Sequence, residues 1–286
     1  MNFLHTLTVF HRQRFTNPYL ASARHIAWQV RKIFNQFPCV LHVERLRVEI
    51  GNKTVANGCG ALLNALGYYD PNNMRFVEDL ARRGAFQTFL DIGANIGIYS
   101  LIVAQAPTTL VHAFEPHPDT YRMLNTNIRL NCFEDRIRSY ALALSNQEGV
   151  LQFLDVPGNA VNRLVENPSP EQATVPVQVV SGEHFCTREG ITPEIMKIDV
   201  EGHELSVLRG FGPVLGEARL LLVEIKKSKH EVCELLKAYH FQGPFKVDFR
   251  RRTLSPTFQS YEDDVFVHAG AEDLLHRHGY QIDREA

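Results

Sequence analysis

FLDIGANIGIYS, residues 89–100, decides how the chain is read. An apolar run ends in Asp91, and Gly93, Asn95 and Gly97 then alternate into a second apolar segment. FQTFLDIG reads as a strand and NIGIYSLIVAQ as a helix, which puts the glycines in the turn between them. Glycine permits backbone angles and a close ligand approach that a Cβ would block. The helix N-terminus beyond offers free N–H groups to a polar or anionic ligand. A structural turn would use glycine as well. The fingerprint GxGxxG needs glycines at 93, 95 and 98, and the chain has Asn95 and Ile98 there, which argues against NAD.

Outward from this turn, short apolar strands alternate with helical segments. TLVHAFEP is a strand, and PDTYRMLNTNIRLN is a helix with Pro118 in its first turn, where a missing N–H costs nothing. RIRSYALALS, LQFLDV and VPVQVV read as β. EIMKIDVEG is a strand, ELSVLRGF a helix, ARLLLVEI a strand, KHEVCELLKAYHF a helix, and FKVDF and DVFVHAG are β again. Alternating β and α units with near-continuous apolar strands predict a mostly parallel sheet covered on both faces. Ligands of such sheets sit beyond the carboxyl ends of the strands, where the strand order switches.

Upstream the pattern differs. ARHIAWQVRKIF (23–34) sets Ile26, Val30 and Phe34 at helical spacing with basic residues between them, and LRVEI (46–50) alternates as a half-buried strand. NMRFVEDLARRG (73–84) is an amphipathic helix ending in Gly84, suited to the left-handed C-terminal position. The first 48 residues hold seven Lys/Arg against Glu44 alone, a balance of +6, in a chain of 286 residues whose net charge is −2. That excess suits an anionic membrane surface or partner, or simply a solvated basic face. The overall balance gives no pull toward nucleic acid. Residues 1–60 are read as an appendage, and 61–286 as the main domain.

The composition, 44% hydrophobic and 22% charged, is that of a soluble globular protein. Five scattered cysteines without a CxxC pair suggest neither a disulfide framework nor a zinc site. No apolar run approaches the roughly 20 residues of a membrane span. The opening MNFLHTLTVFHRQR lacks the basic region and cleavage site of a signal peptide, so a cytoplasmic location is expected.

The second strand adds a second acid. Glu115 ends VHAFEP, 18 residues after Gly97, where an acid accepts both hydroxyls of a ribose in nucleoside-binding folds. The acid–loop–acid pattern fits adenosylmethionine better than a phosphate-bearing dinucleotide. FLDIGANIG, VHAFEPHP, the N-x-x-LN helix and above all MKIDVEGHE resemble the FkbM-type methyltransferases, S-adenosylmethionine-dependent O-methyltransferases, over roughly residues 85–230. DIGANIG occurs in many methyltransferases; its combination with FEP and KIDVEGHE is much narrower. The resemblance implies a Rossmann-like class I methyltransferase fold, with a mostly parallel seven-stranded sheet, helices on both faces and a small N-terminal helical/β appendage. It also implies that Asp91, Gly93, Asn95 and Gly97 line the methionine side of the cofactor and that Glu115 binds its ribose. ALALSN (141–146) falls at the adenine, with Leu142 and Ala143 as the candidate contacts.

Methyl transfer from a sulfonium needs an oxygen about 3 Å from the methyl and in line with the leaving sulfur. An aliphatic hydroxyl is a poor nucleophile until a base or metal takes charge of its proton. EIMKIDVEGHEL supplies Asp199 and Glu201 at the strand end, His203 and Glu204 beyond, and Lys197 on the strand face of Asp199. Glu224 ends the next strand, so that Asp199 and Glu224 converge. Glu201 and Glu204 also suit the first turn of a helix, His203 a surface position, and Lys197 an ion pair with Asp199. Asp199, Glu201 and Glu224 are hard ligands suited to Mg²⁺ rather than zinc, but their spacing is not diagnostic and no metal ligand is assigned. KKSKH (226–230) is a basic rim for an anionic acceptor or a solvated helix start. RRR (250–252) and YEDD (261–264) fall in loops and are assigned no role.

The expected activity is methylation of a hydroxyl on a sugar, a glycan or a secondary metabolite; the oxygen acceptor comes from the resemblance, since no residue excludes nitrogen or carbon. The alternatives are a nucleotide-sugar or NAD-dependent oxidoreductase and a non-catalytic scaffold on the same fold. The appendage is expected to form a lid, a homo-oligomer contact or a membrane-surface contact.

Overall fold

PYLASARHIAWQVRKI forms helix α1 (Pro18–Ile33) in the computed structural model, which describes residues 18–51, 60–155, 162–165 and 168–284. Its buried side carries Ala21, His25 and Trp28, whereas Ile26, Val30 and Phe34 are exposed. Small residues decide this, because Ala21 lets α1 approach Ala65 and Leu62 of helix α2 (Ala61–Leu66) closely. Trp28 meets Phe37 edge-on at 5.6 Å. Strands β1 (Cys39–Val43) and β2 (Leu46–Ile50) pair as a hairpin with Leu46, Val48 and Ile50 buried, the alternation expected of LRVEI. The opening MNFLHTLTVFHRQR, with Arg12 and Arg14, and Cys59 lie outside the described residues.

The chain divides into two compact units between Pro71 and Asn72, in the first turn of α3 (Pro71–Arg82). In the second unit Glu262 accepts from the free N–H groups of Asn72 and Asn73, at 3.1 and 2.7 Å, as a cap for that helix.

Beyond α3 run β3 (Thr88–Ile92), α4 (Ile98–Val103), β4 (Leu110–Phe114), α5 (Pro118–Leu130) and β5 (Ile137–Tyr140). A side group follows, made of β6 (Ala143–Ser145), β7 (Gly149–Leu154), β8 (Leu164–Val165) and β9 (Thr174–Ser181). Next come α6 (Gly182–Glu189), β10 (Ile195–Ile198), α7 (Glu204–Gly210), β11 (Leu220–Val223) and α8 (Lys229–Ala238). The chain closes with β12 (Phe241–Asp248), β13 (Thr253–Ser255), β14 (Asp264–His268), α9 (Glu272–Arg277) and β15 (Gln281–Ile282).

Among the described residues the large sheet has nine strands in the order β15-β13-β12-β14-β11-β10-β3-β4-β5. Seven of them, β12 to β5 in that order, are the sheet the resemblance implies; β13 and β15 extend its edge. Strands β5, β4, β3, β10 and β11 are parallel, and β14 runs antiparallel to β11 and β12. Their apolar residues point to both faces, and Leu90, Ile92, Met196, Ile198, Leu221 and Val223 are buried in one core with Phe185, Phe211 and Leu236 of the covering elements. The order reverses between β3 and β10, so a crevice opens at the carboxyl ends of these two strands.

RIRSYALALS, read as one strand, breaks after Tyr140. Its first half is β5 of the large sheet; its second is β6 of a four-stranded sheet ordered β6-β9-β7-β8. The break separates two packing surfaces, since Tyr140 stacks on Phe114 at 5.1 Å while Ala143 is buried with Phe153, Val177 and Val179.

Candidate active site

Register brings the site together. Phe114, Ile92, Ile198 and Val223 are neighbours across β4, β3, β10 and β11, and Asp264 of β14 pairs with Val223. The next residue on each strand is Glu115, Gly93, Asp199 and Glu224; because β14 is antiparallel, its contribution is the preceding residue, Asp263. Five adjacent strands therefore end in one row at the same edge of the sheet.

At one end of the row the backbone does the holding. Gly93 N and Ala94 N both donate to Phe114 O, at 3.0 and 2.9 Å, which folds the turn back over β4. Gly93 sits at φ +81°, and a Cβ there would lie 1.9 Å from the Asp199 carbonyl oxygen, so no other residue fits. Asp91 is buried, and its Oδ2 accepts from Ser100 N at 3.0 Å and Ser100 Oγ at 2.6 Å. Glu115 accepts from Asn95 N at 3.0 Å and His117 N at 2.9 Å, one bond to each oxygen. Burial pushes its carboxyl up to about 7, against the pull of those two N–H groups. Each oxygen keeps capacity for a further donor.

At the other end side chains hold one another. Lys197, buried in β10, donates to Asp199 Oδ2 at 3.1 Å, lies 3.0 Å from Asp263 Oδ2 and stands over the Tyr99 ring. Burial pushes Asp199 up, but Lys197 and hydrogen bonds from Glu224 and Lys197 outweigh it and hold the group below its ordinary value. Glu224 goes the other way, to about 8, driven by burial and by its hydrogen bond to Asp199. The pair thus shares one proton, held on Glu224 at neutral pH. Lys226 Nζ bridges Glu201 at 2.9 Å and Glu224 at 3.1 Å, and Lys229 lies 2.8 Å from Asp264.

The connection after β10 turns on two left-handed residues, Glu201 at φ +55° and Gly202 at φ +101°. A non-glycine residue in that region is a strained position of the kind found at functional sites. Glu204 is buried and accepts from Gly202 N at 2.7 Å, the role in the first helical turn that its position suggested. His203 Nε2 and Ser145 Oγ share a hydrogen bond of 2.9 Å, which ties the start of α7 to β6.

Residues 91–282 match the methyltransferase FkbM domain. The chain belongs to the FkbM methyltransferase family. It is 30% identical to the hexuronic acid methyltransferase AglP of Haloferax volcanii over 210 residues, covering 65% of this chain and 82% of AglP. It is 29% identical to the methyltransferase sdnD of Sordaria araneosa over 163 residues, covering 46% of this chain and 63% of sdnD. Among solved structures it resembles a SAM-dependent methyltransferase from Agrobacterium tumefaciens, with 12% identity, a TM-score of 0.44, and coverage of 80% of this chain and 68% of that one. By its family, this FkbM protein is an S-adenosylmethionine-dependent methyltransferase.

Its residues fit that cofactor. Gly93 lets its turn pack against the Asp199 carbonyl, where a Cβ would not fit, and the remaining acceptor capacity of Glu115 suits a pair of hydroxyl donors. The turn at Asn95 and Gly97 sits at positive φ ahead of α4. Leu142 is half-buried against the large core and Ala143 is buried in the small sheet. Asp199, Glu201 and Glu224 offer oxygens within 4.8 Å of one another. That grouping already holds Lys226 against Glu201 and Glu224, and Lys197 against Asp199.

The residue missed in the sequence is Asp263. YEDD is a loop up to Asp263, and Asp263 reaches the strand-end row because β14 enters the sheet antiparallel beside β11. A strand of DVFVHAG type following the last α/β unit is the signal that its first residues, rather than its last, lie at the ligand edge. The basic rim also differs from expectation, since Lys226 and Lys229 are engaged by acids of the chain itself. Among the described residues, no helix is long and apolar enough to cross a membrane.

Proposed function

We propose that the enzyme methylates a hydroxyl oxygen of a sugar, a glycan or a related metabolite, with Asp199 as the base and Glu224 as its proton-holding partner. The observation that carries this reading is the Asp199–Glu224 pair, two carboxyls brought together at adjacent strand ends beside the Gly93 turn. When bound, S-adenosylmethionine supplies an electrophilic methyl on a sulfonium. Glu115 would hold the ribose, and Gly93, Asn95 and Gly97 would let the backbone close on the methionine portion.

The acceptor hydroxyl donates to the ionised Asp199, which Lys197 and the Glu224 hydroxyl hold in place. Asp199 would take the hydroxyl proton as the methyl passes from sulfur to oxygen, and half-buried Glu224 would release its own proton to water and receive that of Asp199 through their hydrogen bond. Lys197 and Asp263 act as positioning groups. Glu201 with Lys226 shapes the acceptor rim, while His203, bonded to Ser145, anchors α7 rather than abstracting a proton. That AglP is named for a hexuronic acid supports a sugar-type acceptor.

The test is transfer of labelled methyl from S-adenosylmethionine to a panel of hexoses, hexuronic acids and hydroxylated amines, followed by fragmentation of the products. Methyl ethers on hydroxyl oxygens are expected, and methyl esters alone would move the acceptor to a carboxylate. N-methylated product alone, or full turnover by Asp199→Asn, would overturn the assignment.

A further inference from the structure

Helix α1 has two apolar sides, and the first unit uses one. At 3.6 residues per turn, Ala21, His25 and Trp28 face inward against α2 and Phe37. Ile26, Val30, Ile33 and Phe34 lie on the opposite side and are 53%, 47%, 74% and 69% exposed. A surface helix ordinarily sets charged and polar residues there. Contiguous exposed apolar side chains mark a surface that meets something else.

Charge says what. α1 contains no acid and carries Arg24, Arg31 and Lys32. Residues 1–71 hold eight Lys/Arg against three Asp/Glu, a balance of +5, and the remaining 215 residues hold 22 against 29, a balance of −7. Two copies meeting through this helix would set +5 against +5. An occupant that is apolar within and anionic at its surface satisfies both features, and a bilayer with anionic headgroups is such an occupant.

We propose that α1 lies in the interface of an anionic lipid bilayer, with Ile26, Val30, Ile33 and Phe34 in the acyl boundary and the basic residues among the headgroups. This binds the enzyme to a membrane surface through one face of a helix.

The test is flotation of the purified full-length chain with vesicles of phosphatidylcholine alone and of phosphatidylcholine mixed with phosphatidylglycerol. Co-flotation with the mixed vesicles only, weakening as salt is raised, is expected. The triple variant Ile26→Glu/Val30→Glu/Phe34→Glu should bind at least about tenfold more weakly, and Arg24→Gln/Arg31→Gln should also weaken binding. Both variants should keep the wild-type circular dichroism and S-adenosylhomocysteine affinity, since the changed apolar side chains are exposed. Failure of the wild type to float with anionic vesicles, or flotation of the triple variant at wild-type levels, overturns the proposal. A wild-type dimer that the triple variant turns into a monomer also overturns it, in favour of a second copy.

Discussion

The two ends of the strand-end row are built on different principles. Around Gly93 and Glu115, backbone N–H groups close the turn, satisfy both acids and leave glycine no room for a side chain. Around Asp199, three carboxylic residues and two lysines hold one another through side chains contributed by β10, β11 and the start of β14. The first end is rigid because the chain is short there; the second is rigid only while its charges balance. Mutations should separate the two.

The largest effect is expected from Asp199→Asn, which should lower turnover by about 10²–10⁴ while calorimetric affinity for S-adenosylhomocysteine stays close to wild type. Equal loss of both would move Asp199 to the cofactor's end and erase the contrast. Lys197→Met leaves Asp199 and Asp263 without their buried cation and should cost about 3–5 kcal/mol of stability, measured by urea denaturation. A cost near zero would show that the acids simply take up protons.

At the backbone end, Glu115→Ala should weaken S-adenosylhomocysteine binding by about 1.5–3 kcal/mol with little change in unfolding midpoint. Gly93→Ala should cost more than about 1 kcal/mol of stability, because the obstructing atom is a backbone oxygen that cannot rotate away. Gly84→Ala is the control: its φ is also positive, +69°, but nothing lies within 4 Å of a Cβ there, so only the backbone strain is read.

The smallest effect is in pH. Glu224 holds its proton to about 8 in the folded chain against an ordinary 4.5, so the folded state binds a proton that the unfolded state has released between those values. Stability from this group is fully present below about pH 4.5 and is lost as pH rises toward 8, by much less than the full linkage slope because Glu224 is half-exposed and screened by water. Asp199, held low, acts in the opposite direction and only at more acidic pH. Glu224→Gln should flatten the wild-type slope between pH 5 and 8; an unchanged slope would mean the proton resides elsewhere.

The contrast also explains what the sequence disclosed. DIGANIG and FEP are local, and strand, turn and acid follow one another within a few residues, so the Gly93–Glu115 end of the row could be read directly. Asp199 and Glu224 were legible because parallel α/β units all end at the same edge. Asp263 was not, because its place depends on β14 entering antiparallel, a long-range pairing that no nearby residue announces. The exposed side of α1 escaped for a related reason: spacing shows that Ile26, Val30 and Phe34 share a side, but only the packing of Ala21 on Ala65 shows which side is buried.

The position of β14 has a consequence for synthesis. A nascent chain that has emerged only as far as Val223 has made Lys197 and Asp199 but not Asp263, and β11 is still an open sheet edge. A central ammonium therefore lacks one of its two counter-charges, and unpaired backbone groups of β11 are available to any passing strand, until some 40 further residues have left the ribosome. The charge network is completed late, together with the sheet, so that truncated products carry the Gly93 turn without the balanced ion pairs of Lys197.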